Sequence, residues 1–299
     1  MVHLSYQKCN LCPRACGVDR TAGFKGFCGA ADRIYAARAA LHMWEEPPIS
    51  GTNGSGTVFF SHCSLRCVFC QNRQISRDRE VGKEVSAGRL VEIFLSLQER
   101  GAHNINLVTG THYVPHIVEA LTDARGNGLV IPVVFNCGGY ECVHTLQMLD
   151  GLVDIYLPDF KYYSSYYAQK YSKAPDYFDH VTDALDEMVR QTGTPVFDSD
   201  GIMKSGVIIR HLMLPGLLGD TRQVLSKIAE RYGDRVLVSL MRQYTPFDMQ
   251  EYPELDRKIT EEEYAEAVEW FELVGLSGFL QDGESIGESF IPSFRGEGI

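Results

Sequence analysis

The sequence predicts an α/β protein built as a partial, open (β/α)6 TIM-like barrel with a small cysteine-rich amino-terminal extension. From residue 57 onward, short β-rich runs alternate with amphipathic helical patterns, which is typical of parallel βα units. Residues 1–50 instead carry four cysteines and several glycines, with a short helical stretch predicted over 33–43. We therefore expect a metal-binding extension over residues 1–50 and the barrel over residues 51–299.

Six β-rich runs are the candidates for the parallel strands of the barrel. They are Thr57–Phe60, Asn104–Val108, Val130–Phe135, Val153–Leu157, Gly206–Met213 and Val236–Leu240. Six strands are two fewer than a closed eightfold barrel has, so we expect the barrel to stay open. The functional site of such a fold lies at the carboxyl ends of its strands.

Apolar residues three and four positions apart indicate the helices between these strands. Their predicted apolar faces are Leu90, Ile93, Phe94 and Leu97, then Val114, Ile117, Val118 and Leu121, then Val181, Leu185, Met188 and Val189, and finally Tyr264, Val268 and Phe271. Thr260 and Glu263 form a capping box before the last of these helices. The long segment 162–205 should hold two helices and a hairpin around residues 198–201.

Composition and charge exclude several classes of protein. The chain is 44% hydrophobic and 22% charged, as soluble globular proteins are. A net charge of −11 argues against a wide nucleic-acid-binding face, which needs clustered Lys and Arg. No run of ~18 apolar residues offers a membrane span, and the first residues do not resemble an export signal. We expect a cytoplasmic protein that binds neither membrane nor nucleic acid.

Three cysteines follow the first predicted strand at the spacing C-x3-C-x2-C. Cys63, Cys67 and Cys70 can place three thiolates around one cubane iron-sulfur cluster. One iron of such a cluster lacks a protein ligand and is free to bind the amino and carboxylate groups of a small molecule. The alternative is a structural zinc site closed by His62.

This spacing, the aromatic Phe69 and the position after the first strand resemble the radical S-adenosylmethionine (radical SAM) superfamily. The resemblance implies that Cys63, Cys67 and Cys70 are catalytic and hold a 4Fe-4S cluster that binds S-adenosylmethionine. It also implies reductive cleavage of this cofactor to a 5'-deoxyadenosyl radical, which abstracts hydrogen from the substrate. Phe69 occupies the position that lies near the adenine in the superfamily.

Over residues 55–295 the chain resembles the activating enzymes of glycyl radical enzymes, of the pyruvate formate-lyase type. It resembles even more a branch of similar proteins that begin with a Cys-x-Leu-Cys-Pro-Arg-x-Cys segment, as residues 9–16 do here. This implies an activase that acts on a glycyl radical enzyme or another protein or peptide and receives electrons from flavodoxin or ferredoxin. The alternatives are a radical enzyme for a peptide, nucleoside or small metabolite, and a non-catalytic iron-sulfur or zinc module.

The resemblance places cofactor-binding residues after the second and third strands. Thr109, Gly110 and Thr111 stand where the superfamily has a Gly-Gly-Glu segment that binds the cofactor's amino group, and they offer carbonyl and hydroxyl acceptors without the carboxylate. His112 is a further candidate, or simply the residue that begins the next helix. Asn136 stands where the activating enzymes have an Asp near the cofactor and a monovalent cation.

Further candidates lie at the ends of the later strands. Asp159 and Lys161 match an Asp-x-Lys element that lies near the cofactor in the activating enzymes. Arg210 lies on an otherwise apolar strand, so we expect it to pair with a carboxylate of the cofactor or substrate. Met241 and Tyr244 are candidate adenine contacts, with core packing as the alternative for Met241.

The amino-terminal cysteines form a second candidate metal site. Cys9, Cys12, Cys16 and Cys28 provide four thiolates, enough for a zinc ion or a second iron-sulfur cluster. Free structural thiols or a redox role linked to the substrate are the alternatives. We expect Cys142 to be a packed thiol, and the sequence leaves the role of Cys137 open.

Overall fold

The computed structural model describes residues 6–77, 82–281, 292 and 294–299. The strands of this part are β1 (Ile34–His42), β2 (Ser55–Phe60), β3 (Lys83–Val85), β4 (Ile105–Val108), β5 (Val133–Cys137), β6 (Ile155–Pro158), β7 (Val196–Phe197), β8 (Met203–Leu212), β9 (Leu237–Met241) and β10 (Gly278–Leu280). The helices are α1 (Pro47–Ser50), α2 (Arg73–Ser76), α3 (Ala87–Glu99), α4 (Val114–Gly126), α5 (Val143–Gln147), α6 (Ser165–Ser172), α7 (Tyr177–Thr192), α8 (Leu218–Arg231) and α9 (Glu261–Leu273).

The strands form one curved sheet in the order β10-β9-β8-β6-β5-β4-β2-β1-β3, with β7 paired to β8. The strands from β2 to β10 along this order run parallel. β1 is antiparallel to β2, and β3 is antiparallel to β1. Because β10 and β3 lie at opposite ends of the order, the sheet does not close within the described residues. The expected open α/β barrel is confirmed.

The six predicted parallel strands are all present, with bounds that differ by one to three residues. The sequence missed β10, a short seventh parallel strand beside β9. The helix predicted over residues 33–43 is wrong, because this segment is β1. Its alanines favour a helix locally, but pairing with β2 from Ala36 to His42 overrides that preference. A bulge between Ala36 and Arg38 shifts the alternation that would have indicated a strand.

The predicted helices are confirmed and cover the outer face of the sheet. The predicted apolar residues of α3 and α7 are buried, while Val118 of α4 and Val268 of α9 are half-buried. Thr260 and Glu263 form the predicted capping box of α9. The segment before β8 holds α6, α7 and the predicted hairpin between β7 and β8. No helix in the described part of the chain is both long and apolar enough to cross a membrane.

The inside of the barrel has an apolar floor at the amino ends of the strands. This floor consists of Ile49, Val134, Ile155, Leu157, Met203 and Ile208, all of them buried. Ile49 belongs to the short helix α1, which closes the barrel from below. Asp159, Lys161 and Arg210 lie above this floor, at or near the carboxyl ends of the strands β6 and β8.

Candidate active site

The three cysteines of the motif lie close together in the loop after β2. Cys67 is buried, and Cys63 and Cys70 are half-buried. Burial, reinforced by the two neighbouring sulfurs, raises the pKa of Cys63 to about 12. Burial also raises the pKa of Cys70. Three thiolates are therefore unfavourable here without a compensating positive charge, which iron provides.

Each of the three sulfurs accepts a hydrogen bond from the protein. The amide of Leu65 lies 3.4 Å from Cys63 Sγ, Ser172 Oγ lies 3.0 Å from Cys67 Sγ, and Ser76 Oγ lies 3.3 Å from Cys70 Sγ. Such donors stabilise charge on cluster sulfurs and tune the reduction potential of the iron. This donor set fits a cluster held by three thiolates.

The His62 side chain, the candidate fourth metal ligand, contacts other residues of the protein. Its Nδ1 lies 3.3 Å from the hydroxyl of Tyr113, and its ring packs against Tyr35 and His112. The Tyr113 hydroxyl therefore already contacts the Nδ1 atom that a fourth ligand from His62 would use.

The backbone around this loop adopts left-handed conformations at residues other than glycine. His62 has φ 77°, Arg66 has φ 54° and Thr109, at the end of the neighbouring β4, has φ 60°. The left-handed region is costly for a β-branched residue such as Thr109. Strained backbone of this kind concentrates at functional sites, where the surrounding structure holds it in place.

A carboxylate that the sequence analysis missed lies beside the Thr109–Thr111 segment. Glu141, from the loop after β5, accepts a hydrogen bond from Thr111 Oγ1 at 2.9 Å. Its side chain is buried, and its Oε2 has no hydrogen-bond partner. Burial raises the pKa of Glu141 to about 7. The Cys137 thiol is close enough to Glu141 to influence the pKa of the carboxyl group, so both residues belong to the site.

His112 supports the cysteine loop from below. Its Nε2 lies 2.8 Å from the carbonyl oxygen of Ser61, two residues before Cys63. Burial lowers the pKa of His112 to about 3, so the ring is neutral and donates through Nε2. His112 thus fixes the position of the loop.

Asp159, Lys161 and Arg210 form one charged network above the barrel floor. Lys161 Nζ lies 2.5 Å from one oxygen of Asp159, and Arg210 Nε lies 3.0 Å from the other. Arg210 also donates to Asn136 Oδ1 at 2.7 Å, and its Nη1 lies 3.4 Å from Glu45 Oε2. The carboxylate partner that we expected a bound molecule to supply to Arg210 is therefore provided by the chain itself.

Glu45 and Glu46, which the sequence analysis did not single out, enter the barrel interior from the segment between β1 and α1. Glu45 accepts a hydrogen bond from Asn106 Nδ2 at 3.0 Å. Glu46 is 8% exposed, and its Oε2 has no hydrogen-bond partner. Burial raises the pKa of both carboxyl groups despite the nearby Arg210. Only their proximity to Arg210 in three dimensions reveals them, because no spacing in the sequence links them to it.

Of the residues predicted to contact adenine, Met241 lines the cavity, whereas Phe69 and Tyr244 are buried in the core. Met241 lines a cavity of about 510 Å³ in the barrel, together with Asn136 and Arg210. Phe69 and Tyr244 are buried, and their ring centroids lie 6.4 Å apart. The structure thus brings Phe69 and Tyr244 together, while their contact with adenine stays a prediction.

The amino-terminal cysteines lie next to the cysteine loop. Cys9, Cys12 and Cys28 are buried, and Cys16 is exposed. Cys142 is half-buried, and it is close enough to Cys9 and Cys12 to affect their electrostatic environment. The prediction that Cys142 is a packed thiol did not include this proximity to Cys9 and Cys12. A metal at this group stays a prediction.

Two arginines connect the amino-terminal segment to the rest of the site. Arg14 donates to the carbonyl oxygens of Ser64, Ser172 and Lys173 and stacks on Phe27. Since Ser172 also donates to Cys67, this contact joins the two cysteine groups.

Arg20 is completely buried next to the amino-terminal thiols. It donates to the carbonyl oxygens of His112 and Ala31, and its Nη1 lies 3.8 Å from Cys9 Sγ. Within the described residues it forms no ion pair with a carboxylate, although a buried cation requires compensating negative charge.

Residues 57–228 match the model of the Radical SAM superfamily, which covers more than half of the chain. The chain belongs to the radical SAM superfamily. The match includes the cysteine loop and the strand ends from β2 to β8. Membership implies a 4Fe-4S cluster and S-adenosylmethionine as cofactors.

Individual proteins are similar to the chain in sequence or in fold. The chain is 29% identical over 277 residues to the uncharacterized protein MJ0674 of Methanocaldococcus jannaschii, covering 91% of this chain and 76% of that protein. The fold is similar to that of methylornithine synthase (PylB), with a TM-score of 0.51, 14% identity and coverage of 73% of this chain and 67% of that one. It is equally similar to HydG, a maturase of the FeFe-hydrogenase, with a TM-score of 0.51, 13% identity and coverage of 79% of this chain. The match spans 54% of HydG. Because the identities are only 14% and 13%, these two structures bear on the fold alone.

Proposed function

We propose that this protein cleaves S-adenosylmethionine reductively at a 4Fe-4S cluster held by Cys63, Cys67 and Cys70 and abstracts hydrogen from a substrate in the barrel. The observation that carries the proposal is the group of three neighbouring, buried thiols, each with a hydrogen-bond donor, in a chain of this superfamily. When bound, the cluster supplies the electron and the cofactor supplies the radical. The chain supplies ligands, orientation and exclusion of water.

Glu141 and Thr111 are the residues that we propose to bind the cofactor's amino group. The Thr109–Thr111 segment lacks the carboxylate of the related Gly-Gly-Glu segment. Glu141 brings a carboxylate to this position from the next loop, with its Oε2 free of protein donors. An ammonium would pair with it and stabilise its charged form.

Anaerobic reconstitution of the wild type and of a C63A/C67A/C70A variant tests the proposal. Iron, sulfide and zinc are counted, and 5'-deoxyadenosine is measured after reduction with dithionite. We expect the wild type to bind four irons at the motif and to form 5'-deoxyadenosine, and the variant to do neither. Metal that remains in the variant belongs to the amino-terminal cysteines. A wild type that binds only zinc and cleaves nothing would refute the proposed activity.

Activation of a glycyl radical enzyme is the second candidate function. The observation that favours it is the mouth of the cavity, where Met43, Trp44 and Leu280 are exposed apolar side chains. Such a mouth can receive a loop of another protein. Incubation of the reduced enzyme with candidate partner enzymes should then produce the doublet of a glycyl radical in electron paramagnetic resonance. A silent spectrum across the partners tested would argue for a small substrate instead.

The amino-terminal cysteines are proposed to hold a metal, and the metal together with its thiolate ligands would carry a net negative charge. The buried guanidinium of Arg20 next to Cys9 supports this, because a metal surrounded by four thiolates is anionic and would balance it. Cys9, Cys12, Cys16 and Cys28 are the proposed ligands. Metal counts on C16A and C142A variants identify whether Cys142 replaces the exposed Cys16.

A further inference from the structure

We propose that Glu46, together with the neighbouring Glu45, forms a subsite that binds the protonated primary amine of a small-molecule substrate. The inference rests on the proposed function, because it assigns a substrate class to the same barrel. It begins from two buried acceptors that lack donors. Glu46 Oε2 and Asn106 Oδ1 have no hydrogen-bond partner, although Glu46 is 8% exposed and Asn106 is completely buried.

The orientation of the Asn106 amide is fixed by its neighbour. Its Nδ2 donates to Glu45 Oε1 at 3.0 Å, so its Oδ1 is the atom left without a partner. The Ser239 hydroxyl is close enough to the Glu46 carboxyl group to lower its pKa, but Glu46 Oε2 has no hydrogen-bond partner. Buried acceptors without donors are costly. An ammonium group carries three donors and no acceptor, so it can satisfy Glu46 Oε2 from the cavity that Glu46 lines.

The charges in the barrel favour a cation as well. Arg210 forms ion pairs with Glu45 and Asp159, and Asp159 also pairs with Lys161. His42 also lines the cavity, but burial lowers its pKa to about 4 and leaves it neutral. An ionised Glu46 therefore has no ion-pair partner among the described residues, although Arg210 is nearby. A cationic ligand at Glu46 would balance it.

The position of Glu46 distinguishes the subsite from the proposed site for the cofactor's amino group at Glu141 and Thr111, which do not line the same cavity. The cavity extends from Gln71 and Asn72, directly after the cysteine loop, to Glu46 and Pro47 next to the barrel floor. Asn106 precedes Val108 on β4 by two residues, or about 7 Å of strand, toward the amino end. The cofactor must reach the cluster at the carboxyl ends of the strands, whereas Glu45 and Glu46 approach from the opposite end. The ammonium held there belongs to the substrate.

An E46Q variant tests the subsite, because glutamine keeps the shape of the side chain and removes its charge. The matched control is E230Q, which removes an exposed carboxylate on α8. The probes are L-alaninamide and 1,3-diaminopropane, with lactamide and 1,3-propanediol as uncharged analogues. Their binding to the reconstituted, unreduced protein is measured by saturation-transfer nuclear magnetic resonance near pH 7, where the amines are largely protonated.

We expect the ammonium probes to bind the wild type and E230Q, and to bind E46Q about tenfold or more weakly. S-adenosylmethionine should bind all three proteins equally. Equal binding of charged and uncharged probes, equal binding to wild type and E46Q, absence of any probe binding, or loss of cofactor affinity in E46Q would each overturn the inference.

Two further measurements keep this test separate from the others. Formation of 5'-deoxyadenosine without substrate reports on the proposed function alone, so its absence refutes the activity rather than the subsite. The melting temperature of unreconstituted E46Q reports on the unpaired charge. Because burial raises the pKa of Glu46, the wild type should lose stability relative to E46Q as the pH rises above the ordinary carboxyl range. Equal melting temperatures at all pH values would contradict the unpaired charge.

Discussion

Glu141 has a role that depends on its surroundings rather than on its neighbours in the sequence. Glu141 lies thirty positions after Thr111, yet its carboxyl group accepts a hydrogen bond from Thr111. In that position it places an acidic group beside residues 109–111, which have none. Arg210 shows the same dependence, because its carboxylate partners are distant in the sequence. They are Glu45, from the segment after β1, and Asp159, at the end of β6.

Replacing Glu141 with glutamine should weaken binding of S-adenosylmethionine by about tenfold or more, because a charge-assisted hydrogen bond to the ammonium is lost. Calorimetric titration of the reconstituted, unreduced protein measures this. With the pKa of Glu141 at about 7, the wild-type affinity should fall as the pH decreases through 7, while that of E141Q stays flat. Equal affinities at pH 8 would remove Glu141 from the cofactor site.

The stability of the empty protein provides a control for this assignment. A carboxyl group with a raised pKa stabilises the folded state only while it is protonated. Wild type should therefore lose stability relative to E141Q as the pH rises through about 7. The two pH dependences have opposite signs, so a general folding defect cannot account for both.

The loop between β5 and α5 is the element that carries Glu141 and Cys142 to the site. Its path depends on Gly139, which has φ 78° and lies so close to β6 that a Cβ atom would sit 2.1 Å from the carbonyl oxygen of Asp159. Only glycine combines this conformation with this approach. Gly139 thereby allows the loop to pack closely against Asp159 at the end of β6.

A G139A variant should be destabilised by several kcal/mol, because both the backbone conformation and the contact with Asp159 are incompatible with a methyl group. The matched control is G219A in α8, where a Cβ would meet nothing within 4 Å and helix propensity should stabilise by about 0.5–1 kcal/mol. Urea unfolding measures both. Similar stability of the two variants would show that the loop relaxes without cost.

At the scale of the whole molecule, the protein is acidic but carries one basic patch on its surface. The chain has a net charge of −11, but four basic residues, Arg66, Arg73, Arg77 and Lys173, line a depression of about 690 Å³ beside the cysteine loop. Asp248 and Glu251 also line it, so the depression keeps an excess of two positive charges. A positive patch on a negative protein attracts acidic partners to that place. We propose that an acidic, low-potential electron carrier such as flavodoxin or ferredoxin docks there.

An R73E variant should form 5'-deoxyadenosine several-fold more slowly than the wild type when flavodoxin delivers the electrons, and equally fast with dithionite. The reason is that a charge at the rim of an interface mainly changes the association rate. The control is R100E at the end of α3, an exposed site outside the depression. The difference should shrink at high salt. Equal slowing of both variants would indicate a general charge effect instead.

The sequence by itself determined the radical SAM loop and the six parallel strands, because both are written in local spacing. The interval between Cys63, Cys67 and Cys70 and the alternation of helical and strand patterns need no knowledge of distant residues. The family comparison confirms the first of these, and the sheet order confirms the second.

Only the tertiary structure decided the features that depend on contacts between distant segments. β1 is a strand because β2 and β3 offer hydrogen bonds to an alanine-rich segment that would otherwise favour a helix. Glu45 and Glu46 acquire their importance from burial beside Arg210, about 165 residues away along the chain. Glu141 does so through Thr111. The cost of burying charge is set by what the fold places around it, and no local pattern in the sequence contains that information.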